Sequence, residues 1–302
     1  MIKPQQNLLL PSLGLCLGGA MWGAIWIPLR AIGETGPQLA WPGLLIYACL
    51  TVLLMPLAIR NHREIRLNLW GMMSCGLLTG AAFSFYITSL FFTDVVRAIL
   101  LFYITPVWGT VLGIVFLGER LTLWRVLALV SGLLGLVVVL GDGGAIPWPK
   151  NTGDWLALIS GILWAVGTLQ LNKYSGVPVR SQILGFVWGS LIVTAASVLI
   201  FGSAMGPVPS VDQITSAAPL VLATAFYALP MLFLTIWPAR LLSPGRVGLL
   251  LMSEVVVAVI TAFLFSGEPF GLPQAIGTAL ILSAALFEVA GPILSRAPKR
   301  VR

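Results

Sequence analysis

Two stretches decide the fold when one is laid over the other: RAILLFYITPVWGTVLGIVFLGE at residues 97–119 and RVGLLLMSEVVVAVITAFLFSGE at residues 246–268. At an offset of 149 they share Arg97/Arg246, Leu100/Leu249, Leu101/Leu250, Val107/Val256, Phe116/Phe265, Gly118/Gly267 and Glu119/Glu268. Chance would supply about two such identities in so leucine-rich a composition. Each stretch runs about twenty mostly apolar residues from an arginine to a Gly-Glu pair, enough to cross the ~30 Å hydrocarbon core of a bilayer. A second match, at an offset of 142, places Gly19-Ala20-Met21-Trp22 over Gly161-Ile162-Leu163-Trp164. The chain therefore reads as five membrane helices used twice.

Composition supports this reading across the rest of the sequence. Of 302 residues, 58% are hydrophobic and only 9% are Asp, Glu, Lys or Arg, against roughly 25% charged in a soluble domain. Mean hydropathy is +1.00. A soluble fold could not cover its surface with so few charges, which excludes a soluble enzyme, a nucleic-acid-binding domain and a secreted disulfide scaffold. Apolar runs bounded by charge, Pro or Gly predict ten spans, at 12–30, 39–59, 69–92, 97–117, 124–141, 154–173, 182–202, 217–238, 246–266 and 272–292. The expected fold is all-α and polytopic, with a first five-helix half over 1–148 and a second over 149–302, and no room for a separate water-soluble domain. Cys16, Cys49 and Cys75 lie within apolar runs and read as small buried hydrophobes.

The net charge of +7 is spread thinly over short gaps instead of forming a nucleic-acid-binding face. It reads as a topology signal. With the N-terminus cytoplasmic, the inner side receives Lys3, Arg60, Arg63, Arg66, Arg120, Arg125, Lys173, Arg180, Arg240, Arg246, Arg296, Lys299, Arg300 and Arg302, fourteen of the seventeen basic residues. The outer side keeps Arg30, Arg97 and Lys150 and collects Glu34, Asp94, Asp142, Asp154, Asp212 and Glu268. Both termini are expected inside, in a cell (inner) membrane. The apolar run from Leu8 continues through Trp22, Trp26 and Pro28 without a small-residue cleavage site, so it reads as the first span instead of a cleaved signal.

Because five is odd, the second copy enters the membrane upside down. Inverted halves of this kind can exchange conformations, opening a site between them first to one side and then to the other. The sequence resembles the drug/metabolite transporter superfamily, and within it the EamA-type exporters. The resemblance is carried by ten spans built as five plus five, Trp22-Gly23 in span 1, Pro106 and then Gly118-Glu119-Arg120 in span 4, and Gly267-Glu268 closing span 9. Glu34 with Gly36-Pro37, and Asn172-Lys173-Tyr174 closing span 6, are similar to the YddG-type aromatic amino-acid exporters. The resemblance implies export of small metabolites, aromatic or hydrophobic amino acids first, with a multidrug or nucleoside-type exporter as the alternative. A channel or non-transporting scaffold is the alternative from another class. The chain departs from the pattern at Val255, which stands where the first half has Pro106.

Candidate substrate-binding residues are those costly to place in lipid without a purpose. Glu254 is the one acid deep in a span, and an ionised carboxylate there costs several kcal/mol or finds a partner or a wet cavity. Deep aromatics Trp22, Trp26, Phe83, Tyr86, Tyr103, Trp108, Trp164 and Tyr227 could line a site for an apolar or cationic substrate. Trp148 and Trp155 fit an interfacial belt. Pro28, Pro106 and Pro230 are candidate kinks or hinges, and Ser243-Pro244-Gly245 a candidate joint. Gly14/Gly18, Gly19/Gly23, Gly76/Gly80, Gly109/Gly113 and Gly185/Gly189 should let helices approach closely. Arg30 and Glu288 are expected to snorkel to an interface, and Glu119 and Glu268 to serve helix packing. The chain has no phosphate-binding loop, no His-Glu-x-x-His and a single histidine, His62. No cofactor, metal or catalysis is expected, and the partners are a small-molecule substrate and the lipid bilayer, with a monomer compatible with the sequence.

Overall fold

The computed structural model describes residues 8–89, 92–93, 95–140, 148–266 and 270–294. Among them there is no strand. Nine helical segments are long and apolar enough to cross a membrane, and a shorter apolar helix over Leu123–Val139 is the tenth span. Lys3, Asp94, Asp142, Gly267-Glu268 and the basic residues after Leu294 lie outside the described residues.

Three spans are broken: the breaks in spans 4 and 9 are repeat equivalents, whereas span 6, the counterpart of span 1, runs unbroken over Thr152–Lys173. Span 1 is Leu9–Ala24 followed by Trp26–Glu34. Pro28 has no N–H and crowds the carbonyl four residues back, so the chain turns at Ile25, whose N–H bonds Trp22 O at 3.1 Å. Span 4 is Val95–Phe102 followed by Thr105–Leu117, with Pro106 in the first turn of the second piece. Span 9 is Pro244–Leu251 followed by Ser253–Ser266, and its break at Met252 overlies Tyr103 at the repeat offset. There Ser253 replaces proline: its Oγ donates to Cys16 O at 2.8 Å and Leu250 O at 2.9 Å. The break therefore persists although Val255 has taken the proline's place.

The other spans are Trp41–Arg60, Leu69–Ser89, Leu123–Leu140, Thr152–Lys173, Val179–Phe201, Val211–Ala239 and Leu272–Leu294. Span 8 starts six residues before its expected limit, because Ser210 and Gln213 form a reciprocal capping box that satisfies orphan backbone donors. It runs unbroken through Pro230, so that residue makes no joint. Gly118, at φ +65°, closes span 4 in the left-handed conformation that glycine adopts without strain.

Packing follows the small residues. A Cβ on Gly76 would meet the Gly185 backbone, and one on Gly189 would meet Gly76, so spans 3 and 7 touch main chain to main chain. Gly135 meets Gly277 across spans 5 and 10, and Gly109 meets Pro244 and Gly245 across spans 4 and 9. Lipid offers such helices no hydrophobic driving force, and close van der Waals contact replaces it. Gly14 is less crowded, its nearest neighbours being the Trp237, Pro238 and Leu234 side chains.

One end of the bundle gathers Arg60, Arg120, Arg125, Lys173, Arg180, Arg240 and Arg246, and is termed the basic end. The repeat-related arginines are anchored at opposite ends. Away from the basic end, fully buried Asp154 accepts from Arg97 Nη2 at 2.5 Å, Thr93 Oγ1 at 2.5 Å and Lys150 N at 2.9 Å. At the basic end, Arg246 Nε reaches Glu288 Oε1 at 2.9 Å while Arg125 Nε reaches Oε2 at 2.9 Å and Arg125 Nη1 reaches Glu119 at 3.3 Å. Glu288 is only 3% exposed, so the expected snorkelling does not occur. Two inward-facing arginines hold it among spans 5, 9 and 10. Arg30 by contrast is exposed and pairs with Glu34 at 3.4 Å. Outside the spans, on the short helix His62–Leu67, Glu64 is held below the usual carboxylate range by the Arg180 guanidinium and by Ser181.

Candidate substrate cavity

The breaks in spans 1, 4 and 9 surround a cavity of about 570 Å³. It lies in the half of the bundle away from the basic end, between spans 1, 2, 3, 4, 8 and 9. Trp22, Trp26, Phe83, Tyr86, Tyr103 and Glu254 all line it. These six sit on five separate helical segments or breaks, and the fold brings them together. The arrangement follows from the breaks: each interrupts the helix where side chains must face inward, and backbone released from the helical ladder is tolerated at membrane depth beside a cavity.

Aromatic packing builds the floor. Phe83 stacks on Trp22 with centroids 4.4 Å apart and meets Trp164 edge-on at 5.0 Å and Phe186 at 5.6 Å. Indole donors fix the tryptophans. Trp22 Nε1 donates to Thr235 Oγ1 and Trp26 Nε1 to Thr261 Oγ1, each at 3.0 Å. The rings therefore present their faces, not their N–H groups, to the space between. Tyr103, in the span 4 break, donates its hydroxyl to Glu254 Oε2 at 2.7 Å. This bond joins the two repeat-related breaks across the cavity. Glu254 Oε1 has no hydrogen-bond partner among the described residues.

Other expected residues take different places. Trp164 is 1% exposed and lies behind Phe83, outside the lining. Tyr227 points its hydroxyl at Met21 O, 2.7 Å away, and ties span 8 to span 1. Trp108 is absent from the lining, and its Nε1 is buried without a partner among the described residues. Pro28, Pro106 and Pro230 do not line the cavity either; Pro106 packs against Gly248, and Pro244 and Gly245 are buried against Gly109 and Thr110. That contact closes spans 4 and 9 together at the basic end. Trp148 and Trp155 are exposed, as an interfacial belt requires.

The sequence reading missed Tyr47, which lines the cavity from span 2 with Ile46 and Leu50. Its signal was weak, because Tyr47 sits in a span with no repeat match to single it out. The lining from span 8, Ala228, Met231 and Leu232, was equally silent, being apolar residues in an apolar span.

The EamA-like transporter family matches this chain twice, over residues 9–141 and 151–289. The chain belongs to that family. Among its relatives, the uncharacterized transporter YoaV of Bacillus subtilis (strain 168) is 22% identical over 277 residues, covering 89% of this chain and 93% of the relative. An uncharacterized transporter of Archaeoglobus fulgidus (strain ATCC 49558) is 26% identical over 280 residues, covering 90% and 93%. A solved crystal structure shares the fold with a TM-score of 0.70 at 20% identity, over 96% of this chain and 99% of that one. The family makes this EamA-like protein a multi-pass membrane transporter.

Proposed function

We propose that this transporter is a secondary carrier that exports a small, partly apolar metabolite bearing an amino group. Aromatic and other hydrophobic amino acids are the class that the sequence resemblance suggests. The observation that carries the reading is the one-sided cavity. Six spans part around it in one half of the bundle, while toward the basic end Gly109 packs on Pro244 and Gly245 to close span 4 on span 9, and Gly18 packs on the Leu234 backbone to close span 1 on span 8. With the basic end cytoplasmic, as the lysine and arginine bias suggests, this is an outward-facing state of an inner-membrane protein with both termini inside. The two halves, 1–148 and 149–302, rock about the central cavity so that it empties to alternate sides. Trp22, Trp26, Phe83, Tyr86 and Tyr103 supply the apolar and ring contacts, and Glu254 the acceptor for the substrate's amino group.

The test is counterflow. Purified protein in liposomes preloaded with unlabelled aromatic amino acids or amines should accumulate the labelled compound transiently, and external substrate should accelerate efflux. Conductive flux without this trans-stimulation would make the protein a channel, and no flux of any compound would remove the transport reading. Trp22→Ala deletes a ring that both lines the cavity and stacks on Phe83, so counterflow should fall at least about fivefold. Unchanged counterflow in this variant would take Trp22 out of the site.

A further inference from the structure

Resting on the transport reading above, we infer that the cavity selects lipophilic amines, such as an arylethylamine, over the zwitterionic amino acids that carry the same ring. The argument is a charge inventory of the walls. Among the described lining residues there is one charged side chain, Glu254, and no Lys, Arg or His. An amino acid brings two charges into this space and an amine brings one. A buried charge must be paired or hydrogen-bonded, or it stays in water.

The ammonium of either compound is well served. Glu254 Oε1 is open toward the cavity, and the faces of Trp22, Phe83 and Tyr86 can hold a cation by its attraction to the ring quadrupole. The carboxylate of an amino acid finds no cation. The Trp22 and Trp26 indoles are committed to Thr235 and Thr261 and the Tyr103 hydroxyl to Glu254, and the Tyr47 and Tyr86 hydroxyls of the lining can offer a neutral hydrogen bond but no positive charge. Arg30, on the second piece of span 1, lies outside the lining, with its side chain 62% exposed and paired with Glu34. Because the α-carboxylate lies one carbon from the amino group, docking the ammonium on Glu254 also brings two carboxylates close together in a medium of low dielectric. Like charges placed so are mutually destabilising. The cavity thus accepts the ring and the ammonium and rejects the third group.

The experiment compares labelled tryptamine with labelled tryptophan in proteoliposomes of the wild-type protein at neutral pH, with indole-3-acetate as the acid-only probe. Tryptamine counterflow at least tenfold faster than tryptophan counterflow, with none for indole-3-acetate, is the expected result. Tryptophan moving as fast as tryptamine overturns the inference and leaves the transport reading standing. No counterflow for any of the three overturns both. Glu254→Gln should lower tryptamine counterflow at least tenfold, and Glu254→Asp, which keeps the charge, should restore part of it. A Glu254→Gln protein that folds and retains the tryptamine preference also overturns the assignment. Should that variant fail to fold, the wild-type comparison decides alone.

Discussion

Glu288→Ala is expected to lower the thermal unfolding midpoint of the detergent-solubilised transporter by about 10 °C, from a loss of ~3–5 kcal/mol at 2–4 °C per kcal/mol. The carboxylate is 3% exposed and receives guanidinium groups from Arg125 and Arg246, whose side chains are 13% and 9% exposed. Removing it leaves two buried cations, of which Arg125 keeps the longer contact to Glu119 and Arg246 keeps only the Glu288 backbone oxygen, 3.1 Å away. An uncompensated buried charge is what makes the loss large. Glu288→Gln keeps two acceptor sites on its oxygen and should lose about half as much. Glu64→Gln, at the better solvated Arg180 pair, should leave the midpoint nearly unchanged because water screens that interaction. An unchanged midpoint in Glu288→Ala would show that the three-helix cluster contributes nothing to stability.

The second large effect is expected from Gly76→Val. Its Cβ would occupy the space of the Gly185 carbonyl group, and that obstacle is backbone with no flexible end to move aside. Spans 3 and 7 would have to separate. Overpacking of this kind costs ~1–3 kcal/mol in a core that can adjust, and more where only main chain can move. Because Phe83 on span 3 and Phe186 on span 7 are in ring contact at 5.6 Å, the separation also disturbs the cavity floor. The variant should unfold at lower temperature and lose counterflow. Gly176→Ala, where an added Cβ meets nothing within 4 Å, is the control and should behave as wild type. A Gly76→Val protein with the wild-type midpoint would mean the two helices are not held at the distance described.

Much of this architecture was legible in the residues, for a physical reason. In lipid the backbone must satisfy itself within each helix, so apolar runs of sufficient length announce the spans, and residues such as Arg97 and Arg246 announce their duplication. Helix breaks were half legible. Pro28 and Pro106 marked two, but the break at Met252 depends on Ser253 bonding to Cys16 of another span, a tertiary contact invisible along the chain. Conversely Pro230 suggested a joint that the span does not make. The capping box at Ser210 and Gln213 was readable and went unread, which left span 8 short at its start. In the site, polarity was the useful sign: Glu254 stood out because an acid in lipid is expensive, and it does face the cavity. Tyr47 and Met231 gave no such sign. Trp164 was misplaced because the repeat made it the equal of Trp22, while only one of the two equivalent positions borders the open space in this conformation.

That last asymmetry has a use. Trp22 and Trp164 are counterparts in the two halves, and both lie against the same ring of Phe83, one stacked and one edge-on. On the alternating-access mechanism proposed above, each half is a template for the conformation its twin is not adopting. Imposing the backbone of residues around Trp164 on those around Trp22, and the reverse, draws the opposite-facing state of the carrier without any further structure. In the present conformation Trp22 lines the cavity and Trp164, 1% exposed, does not.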